Sequence, residues 1–174
     1  MRMETHPYVK LAIQAVRHFL AEGKPLACPS PIPDGMDRQS GAFVSIKKKK
    51  NLELRGCIGT VTPNQDNLAN EIIHNAVSAA TRDPRFKAIT SNELKSLQFS
   101  VDVLTPLEPI DSADQLNPQR YGLSVKYKGM QGILLPDLEG IDTVQRQIDL
   151  CLKKGDIPKN APYEMHRFEV ERYH

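Results

Sequence analysis

Two apolar runs suited to β-strands, Ala42 to Ile46 and Leu52 to Ile58, are separated only by Lys47-Lys48-Lys49-Lys50-Asn51. A parallel connection needs a crossover of about a dozen residues or more, so this spacing demands an antiparallel hairpin with a charged tip. Residues two apart on a strand share a face, which puts Arg55 and Cys57 side by side unless a bulge at Gly56 intervenes. The lysines read first as a solvated turn that discourages edge pairing, and less readily as a contact for phosphate.

Helical periodicity surrounds this hairpin. Tyr8, Leu11, Ala12, Ala15, Val16, Phe19 and Leu20 recur at three- and four-residue steps, which predicts a helix that opens after Thr5 and Pro7 and stops near Gly23. Leu68, Ile72, Ile73, Ala76, Val77 and Ala80 form a second stripe after the turn residues Pro63 to Asp66. A third stripe, Ile141, Val144, Ile148 and Leu152, has Asp142 as its cap and Gly155 as its stop, with Cys151 at its border. Thr90 and Glu93 have capping-box spacing for a short helix.

Further strands follow. Phe99, Val101 and Val103 alternate with polar neighbours, so Asp102 is expected on a polar face or facing a cleft. Tyr121 to Tyr127 and Met130 to Leu135 flank Lys128-Gly129 as a second hairpin. Tyr163 to Val170 reads as one closing strand with His166, Phe168 and Val170 on one face. Proline-rich crossings occupy 24–40 and 106–118. This repeated hairpin-then-helix plan predicts largely antiparallel sheet packed by amphipathic helices, in one domain over residues 1–174 with no linker, whose length suits either a single core or two intimate lobes.

Composition narrows the partners. No apolar stretch approaches the length of a membrane span and no signal-peptide pattern opens the chain, so a cytoplasmic protein with no membrane partner is expected. With 23 basic against 21 acidic residues, a net charge of +2 and no tryptophan, a nucleic-acid partner is disfavoured. Cys28, Cys57 and Cys151 are odd in number and widely spaced, which predicts free thiols and neither a disulfide framework nor a metal site. Glu71 and His74 have helical ligand spacing, but with no second such pair they read as a polar flank. Nothing in the sequence calls for a cofactor.

Leu54-Arg55-Gly56-Cys57-Ile58-Gly59 is where chemistry would concentrate. Cys57 is the candidate nucleophile and Arg55 the candidate anion binder, while Gly56 and Gly59 permit close approach of a backbone or ligand. The N-terminus of the following helix would favour a thiolate if the Thr60 to Gln65 turn folded back on the strand. Packing offers the alternative account: Leu54, Cys57 and Ile58 as core, with Asp83 and Arg85 anchoring a turn. No histidine is tied to Cys57 by any motif, so a general base is not evident.

Gly41-Ala42-Phe43-Val44, the Leu54 to Gly59 run, Asp83-Pro84-Arg85-Phe86, the Val101 to Pro109 segment, Gly122-Leu123 and Gly132 to Pro136 together resemble the AMMECR domain family over roughly Pro7 to Tyr173. The resemblance implies an α+β fold of two unequal lobes with the LRGCIG motif near a cleft, and a second motif at Asp83, Arg85 and Phe86. Cleft or binding residues would then be Gly56, Gly59, Asp83, Arg85, Asp102 and Tyr121. Many relatives resemble His-Gly where this chain has Tyr121-Gly122, and Trp-Asp where it has Ile141-Asp142. Microbial members include protein A of the AmmeMemoRadiSam system, which implies Memo-like and radical SAM proteins as partners. Two functions follow as expectations: an accessory or binding module in a radical-SAM-linked modification pathway, holding a small molecule or peptide in its cleft, or an enzyme that uses Cys57 on a small anionic or protein-borne substrate.

Overall fold

The computed structural model describes residues 5–174. Among these residues three α-helices and two four-stranded sheets make an α+β fold: α1 (Pro7–Glu22), β1 (Ala42–Lys48), β2 (Leu54–Thr60), α2 (Leu68–Thr81), β3 (Leu97–Leu104), β4 (Glu108–Ile110), β5 (Gly122–Tyr127), β6 (Met130–Leu134), α3 (Val144–Lys154), β7 (Glu164–Phe168) and β8 (Val170–Tyr173). The first sheet runs β2-β1-β3-β8 and the second β4-β7-β5-β6. Contacts divide the chain into two unequal units, one reaching Val103 and regaining Glu171–His174, the other Leu104–Val170.

In the first unit, α1 begins with proline at its first turn, where the missing N–H costs nothing, and His6 Nδ1 accepts the Tyr8 N–H at 3.3 Å. Gly23 closes it in the left-handed conformation at φ 68°. Asn67 caps α2 by accepting the Asn70 N–H at 2.9 Å. Ala12 and Val16 of α1 and Ile72 and Ala76 of α2 pack with Val44, Ile46 and Val101 from one face of the sheet.

Glu71 departs from its expected place on a polar flank. It is fully buried, and its carboxylate receives the Thr60 hydroxyl and the backbone N–H groups of Asn64 and Gln65 at 2.9 and 2.8 Å. His74 is exposed. Glu71 thus ties the loop between β2 and α2 to the helix that follows it.

The β1–β2 hairpin is antiparallel, with each strand running two residues beyond its predicted end. Its bulge lies opposite the Ile46–Lys47 step: Ile46 faces Gly56, Lys47 faces Leu54, and Arg55 is the extra, unpaired residue. β3 pairs antiparallel with β1 on the other side, placing Asp102 across from Phe43 and Ser100 across from Ser45. Asp102, expected on a polar face or facing a cleft, is covered. It is 1% exposed and receives Arg172 Nε and Nη2 at 2.7 and 2.9 Å, a bidentate pair that offsets the cost of burying the carboxylate.

In the second unit, β5 and β6 join through Lys128 and Gly129 at φ 45° and 82°, the positive pair that matches the twist of a two-residue hairpin. α3 is capped by Thr143, not Asp142: the Thr143 hydroxyl accepts the Arg146 N–H at 3.2 Å. Cys151 is fully buried with Ile148 and Leu152 against Leu123, Val125 and Leu134. The closing segment forms two strands where one was expected. β7 joins the second sheet and β8 the first, with Glu169 between them holding Thr105. Weak alternation of apolar residues carries no mark of such a change of sheet.

Candidate functional site

β1 turns Ala42, Val44 and Ile46 inward, which leaves Phe43 and Ser45 on the outward face of the first sheet. The register carries this division to both neighbours. Ser45 lies between Cys57 and Ser100, and Phe43 between Gly59 and Asp102, so six residues from three adjacent strands form two rows. Ser45 Oγ and Cys57 Sγ are 3.2 Å apart.

The two glycines of β2 serve different contacts. A Cβ at Gly56 would fall 2.1 Å from the Ala79 carbonyl oxygen, so α2 lies with its backbone directly on the strand. A Cβ at Gly59 would meet the Phe43 ring at 2.1 Å, so that ring covers the strand from the outward side.

β2 is the outermost strand of its sheet, and its free edge at Cys57 is occupied by side chains. The Cys57 N–H donates to Asp83 Oδ2 at 2.9 Å, and Arg85 Nη2 donates to the Cys57 carbonyl at 3.4 Å. Asp83 also accepts from the Arg85 backbone N–H, Nε and Nη2 at 3.1, 3.0 and 2.8 Å. The Asp83-Arg85 pair therefore stands where a neighbouring strand would. Its carboxylate is buried, while the Arg85 side chain is 56% exposed.

Electrostatics follow this geometry. The Arg85 guanidinium, aided by the Cys57 and Arg85 N–H groups, holds the Asp83 carboxyl down to about 2. Burial pushes the Cys57 thiol up, and the hydrogen bond from Ser45 and the charge of Arg85 oppose this only in part. The expected activation by a helix N-terminus does not occur. Thr60 reaches Glu71 while Gly56 lies on Ala79, so α2 runs back along β2 and brings the last turn of its backbone near Cys57. That end of a helix disfavours an anion.

Arg55 faces elsewhere than expected. Its Nε and Nη2 donate to Glu93 at 3.1 and 3.3 Å and its Nη1 to the Lys87 carbonyl at 2.7 Å. The bulge removes Arg55 from the alternation that would have aligned it with Cys57. Glu93 is doubly used, since it also accepts the Thr90 N–H in the capping arrangement read from the sequence. The cation beside Cys57 is Arg85.

Of the sequence-selected residues, the first unit brings together Gly56, Cys57, Gly59, Asp83, Arg85 and Asp102. Tyr121 belongs to the second unit. There the guanidinium groups of Arg167 and Arg120 lie over its ring, at 4.4 and 4.9 Å from the centroid, beside a cavity of about 350 Å³ that Thr105, Glu108 and Glu169 help to line. Phe43, Ser45 and Ser100 were not singled out by sequence reasoning, although the alternation of β1 already marked Phe43 and Ser45 as outward. Arg172 gave no signal. Among the described residues no cluster of three or more His, Cys, Asp or Glu side chains is placed to hold a metal ion, and no helix is long and apolar enough to cross a membrane.

Comparison with known proteins supplies the family. A Thermotoga maritima protein is 42% identical over 97% of both chains. A Clostridium acetobutylicum protein is 41% identical over 99% of this chain, which spans only 36% of that longer protein. An uncharacterised protein from Pyrococcus horikoshii has a crystal structure that superposes with a TM-score of 0.87 at 28% identity, covering 95% of this chain and 88% of that one. The AMMECR1 family model matches residues 9–174, and the chain belongs to the AMMECR1 family.

Proposed function

We propose that this AMMECR1-family chain is an accessory binding module whose contact surface is the outward face of β2 and of the adjoining β1 and β3, bordered by the exposed guanidinium of Arg85. The observation that carries this reading is the state of Cys57. Its thiol is held up by burial, its N–H and carbonyl are used by Asp83 and Arg85, and its sulfur meets a serine where an activated nucleophile would meet a base. A surface that presents the Phe43 ring, the Ser45 and Ser100 hydroxyls and a guanidinium suits recognition of a polar partner segment. By family resemblance the partners are the Memo-like and radical SAM proteins of a modification pathway.

The test is titration calorimetry of the chain against the Memo-like and radical SAM proteins encoded with a member of this family. Binding by wild type and by Cys57→Ser within about threefold of each other, with Arg85→Glu weaker by about tenfold or more, supports the module. Turnover of a protein-borne substrate that disappears in Cys57→Ser while binding persists would establish the enzyme instead.

A further inference from the structure

The tip of the β1–β2 hairpin breaks a local rule. Lys48 N–H bonds to the Glu53 carbonyl and Leu52 N–H to the Lys48 carbonyl, closing a four-residue loop of Lys49, Lys50, Asn51 and Leu52. The last of these takes φ 60°, a left-handed conformation that favours glycine or asparagine, yet the residue there is a leucine. Asn51, the better candidate for that conformation, is its neighbour. Leu52 is 59% exposed, the one large hydrophobic side chain so exposed among the described residues, so burial recovers little of the strain.

Charge is concentrated in the residues next to this leucine. Lys47, Lys48, Lys49 and Lys50 are exposed, and Lys49 Nζ donates to the Lys95 carbonyl at 2.9 Å, drawing exposed Lys95 into the same patch. Glu53, which accepts Lys48 at 2.9 Å, is the single carboxylate of the loop. The patch therefore has a net charge of +4 in a chain whose formal total is +2, so the remainder of the protein is acidic. A strained, exposed apolar residue within a concentrated cationic patch points to a function that the fold alone does not require.

We propose that the hairpin tip is a peripheral docking point for an anionic phospholipid surface, with Leu52 entering the interfacial layer and Lys47, Lys49, Lys50 and Lys95 meeting headgroup phosphates. This surface is distinct from the outward face of β2 and does not depend on the binding-module reading. A lipid surface is the occupant whose layering matches the tip: negative charge outside, and an apolar layer beneath for a single protruding side chain. Nucleic acid would engage the lysines and leave Leu52 without a role. Contact with a lysine patch of this size is weak and reversible, and sensitive to salt.

The test is co-sedimentation of the full chain with phosphatidylcholine vesicles, with and without about 30% phosphatidylserine, at low and high salt. Each lysine at such a surface adds about fivefold to binding, so replacing Lys47, Lys49 and Lys50 by Gln is expected to weaken it about a hundredfold. Leu52→Gly is expected to weaken it about three- to tenfold while leaving the melting temperature unchanged or higher, since glycine relieves the left-handed strain. That opposition of sign separates docking from structure. The proposal is overturned if wild type ignores phosphatidylserine, if Leu52→Gly binds these vesicles like wild type, or if a single-stranded oligonucleotide binds tightly and only the lysine variant loses it.

Discussion

The backbone N–H of Cys57 ends on the carboxylate of Asp83, 2.9 Å away and 26 residues further along the chain. Arg85, two residues beyond Asp83, donates back to the Cys57 carbonyl. An edge strand is thereby closed by a turn, and the negative charge that closes it is buried and matched by one guanidinium.

The first prediction follows from that charge. The Asp83 carboxyl lies near 2 in the folded chain against an ordinary 3.8, so its stabilising contribution is complete above about pH 4 and is lost as the pH falls toward 2. Because Arg85 is more than half exposed, solvent screening brings the contribution to about 1–2 kcal/mol. Asp83→Asn is expected to be less stable at pH 7 by roughly that amount, and to lose less of its stability between about pH 4 and 2. Urea denaturation of both proteins across that interval measures it; parallel pH profiles would exclude the assignment.

A second prediction separates the two glycines of β2. A methyl group at Gly56 meets a backbone carbonyl of α2 that can shift only with the helix, so Gly56→Ala is expected to cost about 3 kcal/mol or more. At Gly59 the obstacle is the Phe43 side chain, which can rotate away, so Gly59→Ala is expected to cost about 1–2 kcal/mol and to disturb the outward face. Denaturation midpoints at constant m-value give both numbers. Equal costs would mean that the ring is as fixed as the helix.

Glu71 yields the third prediction. Three donors converge on its buried carboxylate, and Glu71→Ala strands all of them while leaving a cavity. A loss of about 3–4 kcal/mol is expected, with faster amide exchange at Asn64 and Gln65. Unaltered protection at those two amides would show that the carboxylate does not hold the loop.

The elements that follow from periodicity are legible in the sequence: α1 with its Gly23 stop, α2, the body of α3, both hairpins and β3 all lie where apolar spacing places them. Long-range pairing was not. Alternation puts Asp102 on a polar face or facing a cleft without saying what covers it, and here Arg172, 70 residues away, does so. Glu71 looked superficial for the same reason. At the site, the sequence marks Cys57, Asp83 and Arg85 as notable but offers Arg55 as the partner cation, because Gly56 allows a bulge without requiring one, and the one-residue bulge that forms changes the direction of the Arg55 side chain.

The last prediction ranks the thiols by their surroundings. Cys151 is fully buried, and burial pushes it up to about 12, so it should resist alkylation until the chain unfolds. Cys57 is partly exposed, but burial of its sulfur pushes it above the ordinary thiol value in spite of Ser45 and Arg85. Its reaction with iodoacetamide in the folded protein should be slower at pH 7 than that of a free thiol and should rise steeply above about pH 9. Arg85→Ala removes a charge that favours the thiolate, so the rise should shift to still higher pH. Cys57→Ala should lower stability by about 1 kcal/mol through lost packing, with the fold retained. These rates are measurable by mass spectrometry of timed, quenched samples with unfolded protein as the reference. A Cys57 that alkylates rapidly at pH 7 and slows in Arg85→Ala would be an activated thiol, and the binding-module reading would give way to catalysis.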